Sequence, residues 1–562
     1  MNARPEHSPV SASAWLNALD TNDAAFRRSV SGCYGSAALV AGRSPLLRRV
    51  LDAFAARFGD APVRVFRCPG RINLRGMHVD THGGYLNLMT HHREVVVVSG
   101  ISDDSRSAAV NVDSQFPEVR CDASAWHDHG AFGSTWSDFI AHGDVKRHAS
   151  ARRGFWSNYI EGSVLRAQHE WRECPMLGIR AAVGSDIPPG ASLSSSTALS
   201  LAAFMSACAW NGKTLDTAAL ISVAQDIEWF TGARIGTSDQ SGMLVPRANE
   251  LVNFAPAPTP LNVADVRRVH FPDDLRVLVI DSRTDRSISG AQQIDYTRNR
   301  FAYSLALGIL HQEMAKDGVS MERAGRMMRL SDFAAPNIGP FGGVRALYRW
   351  LSRVPQSVTL DDLRSRYSLP LLEEAYARYF GPLPGPERPD TFAIRGPLIF
   401  GMAESERARL FVDALLLGDH EVTGYYMTLG HDGDRRFDAM GMPWSNDVGD
   451  EALRALAAKE TPIARVPGAY GASSRALDAL VDCAISAGAL GASLTGAGIA
   501  GAVIALTEAA YADRVAEGIR HYIAGEEYRA IAPKVSQLSA QDLRDSVVIN
   551  ESPGPAGEIV VA

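Results

Sequence analysis

The chain is short of the features that mark several large classes of protein. Its six cysteines, Cys33, Cys68, Cys121, Cys174, Cys208 and Cys483, are scattered along 562 residues without a C-x-x-C pair. Neither a zinc site nor a disulfide framework is signalled by that spacing. Cys208 stands among apolar neighbours and reads as a small buried hydrophobe. No apolar run approaches about 18 residues, so no membrane-spanning helix is predicted. The N-terminus lacks the basic-then-apolar layout of a secretory signal. With a net charge of -7 there is no electrostatic ground for expecting nucleic acid or an anionic membrane as partner. Arginines alternate with acids, as in Asp434-Arg435-Arg436-Phe437-Asp438, a pattern of solvated faces. No internal repeat is visible, and no Gly-Lys-Ser/Thr phosphate loop occurs. The expected setting is a reducing cytoplasm.

What is present is the composition of a globular protein, 46% hydrophobic and 21% charged. The length suggests two or three domains. Residues 1–43 are rich in Ser and Ala and read as an extension with one short helix around Ala14–Leu19. Leu46–Phe54 has helical spacing of apolar residues, Val63–Phe66 and the β-branched run Glu94–Val98 read as strands, and Leu199–Trp210 reads as a helix. Leu275–Asp281 predicts a buried strand. Glu404–Gly418 and Ser473–Gly488 predict helices, and Ala500–Leu506 a strand. Between 317 and 392 lies a long segment punctuated by Pro382-Leu383-Pro384-Gly385-Pro386, read as an elaboration. The tail from Pro553 is expected to be irregular.

Three small-residue segments carry the chemistry. In the second, a strand at Ile179–Val183 leads through Pro188-Pro189-Gly190-Ala191-Ser192-Leu193-Ser194-Ser195-Ser196 into a helix. A loop of small residues at a helix N-terminus exposes backbone N–H groups whose partial positive charge favours phosphate oxygens. Serine hydroxyls there can reach a phosphate or a hard cation. The first segment is Pro69-Gly70-Arg71-Ile72-Asn73-Leu74-Arg75-Gly76-Met77-His78-Val79-Asp80. The third, Leu494-Thr495-Gly496-Ala497-Gly498-Ile499-Ala500-Gly501, lies between a helix and a strand, where glycines permit close backbone approach.

Together and in this order, the three segments resemble the signature motifs of the GHMP kinases, ATP-dependent small-molecule phosphotransferases, and most closely the galactokinase branch. The resemblance spans roughly residues 46–510. It implies an α+β fold of two domains with the active site between them: residues 44–262, holding the ATP loop and the catalytic aspartate, and 263–562. The boundary is expected near 256–272. It also implies that Pro189 to Ser196, with Gly190, Ala191, Ser192, Leu193, Ser194 and Ser195 between, bind ATP. Glu228-Trp229-Phe230-Thr231-Gly232 and Gly236-Thr237-Ser238-Asp239-Gln240 are similar to the family's E-x-x-x-G and G-x-x-D-Q. Asp239 then matches the catalytic aspartate that meets the acceptor hydroxyl. Arg71 matches the arginine expected to stabilise that aspartate and the transferring phosphoryl group. Glu228 with Ser195 or Ser196 matches the Mg²⁺ ligands.

The acceptor end departs from the family. Galactokinases read G-E-H-x-D-Y-N-G-G where this chain reads Gly76-Met77-His78-Val79-Asp80-Thr81-His82-Gly83-Gly84. His78, Asp80, Gly236, Tyr296 and Gly498 are the further substrate positions the resemblance implies. Met77 replaces the glutamate expected to bind the sugar's exocyclic hydroxyl, and a thioether is a poor hydrogen-bond partner. A hydroxyl left there without a partner costs about 1–3 kcal/mol. The expected activity is phosphorylation of the anomeric hydroxyl of a galactose-like sugar. One lacking a 6-hydroxyl, such as L-arabinose or a 6-deoxy sugar, fits the methionine; alternatively Met77 belongs to the core and another residue reads the hydroxyl. The competing readings are a GHMP kinase for another sugar or polyol, and a catalytically silent sugar- and ATP-binding regulator.

Overall fold

Val95 to Val98 belong to two cores at once, and this explains their unbroken apolar run. In a strand successive side chains point to opposite faces. Val95 and Val97 pack with Phe66 in the main core, while Val96 and Val98 pack with Val65 on the other face. The computed structural model describes residues 8–22, 24–188, 190–233, 236–257, 260–284, 291–381 and 383–560. Among them the strands Pro62–Arg75 and Leu86–Ile101 pair antiparallel, with Phe66 opposite Val97. The C-terminal half of Leu86–Ile101 also pairs with Ile179–Ser185, and its N-terminal half with Glu250–Phe254. This ladder is the centre of a nine-stranded sheet.

Helices Ser157–Glu170, Ser195–Trp210 and Thr217–Phe230 bury their apolar residues in the main core on one face of the sheet. The other face is covered by the N-terminal region, and here the expectation of an extension with one short helix is overturned. Helices Ala12–Thr21, Ala24–Tyr34 and Ala37–Phe58 follow one another, and the last runs straight across residue 43. Serines that read as linker composition start helices instead: Ser11 and Ser36 accept the backbone N–H of Ala14 and Leu39. Trp15, Phe26, Val30, Leu47 and Phe54 form a core with Val96 and Val98. Each such side chain contributes on the order of 1.5–3 kcal/mol through burial.

A buried polar group ties this region to both chain ends. Tyr34 Oη donates to Glu94 Oε1 at 2.8 Å, Glu94 is ion-paired with Arg67, and Arg67 Nη1 donates to the Gly554 carbonyl at 2.9 Å. The tail is correspondingly ordered rather than irregular: Gly557–Ile559 forms a strand on Pro62–Arg75, and Ile559 joins the N-terminal core.

The large sheet's last strand in sequence order before residue 275 is Arg267–His270, and the next strand, Leu275–Asp281, lies in a second sheet. There it sits between Ala502–Glu508 and Val547–Ile549, with Gly491–Thr495 at the edge. Residues 317–392 form short helices and a two-stranded ladder, Ser357–Thr359 with Thr391–Ala393. This elaboration touches the acceptor motif: Ser331 N–H reaches the Gly83 carbonyl at 3.4 Å, and Arg329 packs over Gly83. No helix among the described residues is long and apolar enough to cross a membrane.

Candidate active site

The three motifs converge at a local irregularity. The strand Pro62–Arg75 shifts register between Pro69 and Arg71, and such a bulge re-aims the side chain that follows it. A Cβ on Gly70 would lie 3.2 Å from the Leu193 carbonyl, so the Gly190 to Ser196 loop passes directly over this glycine. Arg71 consequently points along the loop. Its Nη1 donates to the Ser192 carbonyl at 2.7 Å, and its Nε and Nη2 lie 2.8 and 2.6 Å from Asp239 Oδ1. Asp239 comes from the first turn of helix Ser238–Leu244.

The loop itself is strained. Ser192 and Ser194 have φ of +57° and +62°, values that cost a non-glycine residue about 1–2 kcal/mol each. The third motif braces it. A Cβ on Gly496 would lie 2.8 Å from Ser192 Cβ, and one on Gly501 would overlap Ser192 Oγ. Ser192 Oγ donates to the Ala500 carbonyl at 3.3 Å. The helix Ser195–Trp210 starts without a side-chain cap at Ser194, leaving its first-turn N–H groups to serve a ligand. Gly190 has open space where a Cβ would be. An uncapped helix end, a bare glycine and clustered hydroxyls fit a nucleotide's phosphates.

Glu228, in helix Thr217–Phe230, is buried beside that helix end. Thr197 Oγ1 donates to its Oε1 at 2.9 Å. Burial pushes its carboxyl up to about 7; the hydrogen bonds from Thr197 and Ser196 pull the other way, and Asp239 adds to the rise. A buried carboxyl beside serine hydroxyls suits a hard divalent cation, which would restore its charge.

At the other end of the same cavity, of about 670 Å³, lie His78, Asp80 and Gly236. Asp80 Oδ2 accepts from Ser238 Oγ at 2.9 Å, linking the first motif to the Asp239 helix. A Cβ on Gly236 would lie 2.5 Å from Asp80 Cγ, so only glycine lets the carboxylate sit there. His78 has φ of +61° and stacks on Tyr470, 4.5 Å between centroids and 11° between planes. Burial drives its imidazole down to about 3, so it is neutral.

Thus Arg71, Asp239, Gly190 to Ser196, Glu228, His78, Asp80 and Gly236 share one cavity. Met77 does not line it. The methionine is buried in the main core, and its N–H reaches Glu404 Oε1 at 3.2 Å. Gly498 packs instead on Ala472, its Cβ position 3.0 Å from the Ala472 carbonyl carbon. Pro189 lies outside the described residues, as does the side chain of Tyr296 in helix Ala291–Lys316. Sequence reasoning missed Asn73, Ser238 and Arg300, and an entire aromatic wall, Phe116, Trp156 and Tyr159. The i, i+3 spacing of Trp156 and Tyr159 was the only available signal for the wall.

Three regions match known families: residues 52–100 the galactokinase galactose-binding signature, 158–245 the GHMP kinases N terminal domain, and 451–524 the GHMP kinases C terminal. A galactokinase of Chloroflexus aggregans is 25% identical over 487 residues, 86% of this chain and 93% of that one. One of Chloroflexus aurantiacus is 28% identical over 291 residues, 51% of this chain and 64% of that protein's length. The crystal structure of Lactococcus lactis galactokinase complexed with galactose has a TM-score of 0.56 at 16% identity, over 90% of this chain and 98% of that one. The two-sheet α+β fold is shared with that galactokinase structure. The chain thus carries matches to both GHMP kinase domains and to the galactokinase galactose-binding signature, and in these regions it is galactokinase-like.

Proposed function

We propose that this protein transfers the γ-phosphoryl group of ATP to the anomeric hydroxyl of a galactose-like monosaccharide. The observation that carries the reading is the Arg71–Asp239 pair, lining one cavity with the Gly190 to Ser196 loop and with His78 and Asp80. In hydroxyl phosphorylation the protein positions the acceptor, neutralises charge and orients or accepts one proton. Asp239 takes the last role at Oδ2, since its Oδ1 is held by Arg71. Arg71 bridges Asp239 and the loop carbonyl of Ser192, so one guanidinium ties the proton acceptor to the phosphate cradle. Gly190 to Ser196 hold the phosphates, and Glu228 with Ser195 or Ser196 would hold Mg²⁺. That ion supplies charge neutralisation on the phosphates when bound.

The finer reading is a sugar without a 6-hydroxyl, L-arabinose or a 6-deoxy sugar, because no side chain at position 77 reaches the cavity to pair with that hydroxyl. Met77 is turned into the core and supplies no polar group in place of the family's glutamate. ATP turnover and scattered cysteines fit a cytoplasmic setting. The test is ADP release from MgATP across D-galactose, L-arabinose, L- and D-fucose and D-glucuronate, with the phosphorylated carbon located by ³¹P and ¹³C NMR. Turnover of a sugar lacking the exocyclic hydroxyl, phosphorylated at C1, supports the reading. Preference for D-galactose overturns the methionine argument alone. Silence across the panel with ATP bound overturns the galactose-like acceptor in favour of another sugar or polyol, or of a catalytically silent regulator.

A further inference from the structure

The residue that braces His78 comes from a distant part of the chain. Helix His420–Asp434 ends in Asp434, which is fully buried, with Oδ1 3.5 Å from His78 Nε2. That oxygen has no hydrogen bond among the described residues. The turn after the helix is built around it. Ser473 N–H donates to the Asp434 carbonyl at 2.9 Å, and Tyr470 N–H to the Gly433 carbonyl at 2.7 Å. Ile499 N–H, in the third motif, donates to the Ala472 carbonyl at 2.7 Å. Tyr470, placed by this turn, is the ring that stacks on His78. One hydrogen-bonded unit therefore holds the imidazole by its face through Tyr470 and by its edge through Asp434.

We propose that Asp434 is a positioning residue for acceptor recognition, fixing the orientation and tautomer of His78. The inference rests on the reading that His78 faces the sugar. Its chemistry follows from the neighbours. Glu404 is held ionised between Arg75 and Arg407, with its carboxyl kept below the usual range despite burial. Burial raises the Asp434 carboxyl, and the nearby Glu404 charge raises it further. A carboxyl kept neutral there would donate its O–H to His78 Nε2, and the imidazole would then carry its own proton on Nδ1. A ring whose proton is assigned to one nitrogen presents the cavity with a defined donor. At 3.5 Å the two atoms stand a few tenths of an ångström beyond hydrogen-bond length, the separation at which apo contacts of this kind commonly rest.

The test uses the full-length protein and the panel sugar that wild type turns over best. Asp434→Ala should raise the sugar KM about tenfold, the worth of one buried hydrogen bond, and leave the ATP KM within twofold. Asp434→Asn, which keeps a donor at the same place, should stay within about threefold of wild type. In a His78→Ala background the Asp434→Ala penalty should vanish, because its target is gone. Should Asp434→Ala not fold, Asp434→Ser, too short to reach the ring, takes its place. An unchanged sugar KM, sugar and ATP KM rising together, or a penalty that persists without His78 would each overturn the inference. A wild-type protein silent on every sugar overturns the functional reading with it, whereas active wild type with undisturbed Asp434→Ala overturns the inference alone.

Discussion

Gly501→Ala probes the brace between the third motif and the phosphate loop. Gly501 has φ of +106°, well outside the left-handed well open to other residues, so any side chain there strains the backbone by about 1–3 kcal/mol. The new Cβ would overlap Ser192 Oγ and lie 2.8 Å from Ser192 Cβ. That is about 0.7 Å short of the roughly 3.5 Å at which two carbons rest. A rotamer change can move the hydroxyl, but only the backbone can move Cβ. Ser192 is already at positive φ, and its carbonyl anchors Arg71, so the displacement reaches both the loop and the catalytic pair. A shift of this size in a catalytic constellation costs up to about 100-fold in rate. Initial rates with ATP varied at saturating sugar should show a higher ATP KM and a lower kcat, with sugar affinity by calorimetry little changed. Ser192→Gly in the same chain removes the atom that is struck and relieves the loop's φ, so the double variant should recover most of the loss. Undiminished kcat and ATP KM in Gly501→Ala would refute the brace.

Gly236→Ala should act at the other end, displacing the Asp80 carboxylate and raising the sugar KM at least about tenfold while the ATP KM holds, since the introduced Cβ falls 2.5 Å from Asp80 Cγ; equal effects on both substrates would contradict this. The protein should also lose stability as pH falls. His91 is fully buried and its imidazole is driven well below the ordinary value, chiefly by burial, then by His92, Arg93 and Arg43. The unfolded chain binds a proton below about pH 6.5 that the folded chain refuses, so stability present above that pH falls by up to about 1.4 kcal/mol per pH unit for each such group. His91→Asn should therefore melt with a shallower pH dependence below 6.5, and an unaltered slope in thermal melts would show the argument to be wrong.

The sequence was most legible where chemistry is local. Leu275–Asp281 forms the predicted strand with the same bounds, because a short β-branched run can be buried only one way. The meeting of Gly190 to Ser196 with Arg71 and Asp239 in one cavity was foreseeable because the three motifs resemble those of the GHMP kinases. The N-terminal helices were not, since the surface they cover exists only once Val96 and Val98 face away from the main core. Met77 shows the limit of reading a motif position by position. Its neighbours His78 and Asp80 line the cavity, but its own side chain completes the core, and no local pattern separates the two fates. The Phe116, Trp156 and Tyr159 wall and Asp434 come from segments outside any motif, joined only by the fold.

The most direct test of the account is Asp239→Asn, read by two assays on one preparation. The variant keeps the shape of the side chain but accepts a proton poorly. Phosphoryl transfer should fall by about 10²–10⁴-fold, the usual worth of a positioned acid or base. Sugar binding by calorimetry should remain within a few fold. Full turnover by Asp239→Asn would contradict the assignment of this cavity as the site of phosphoryl transfer.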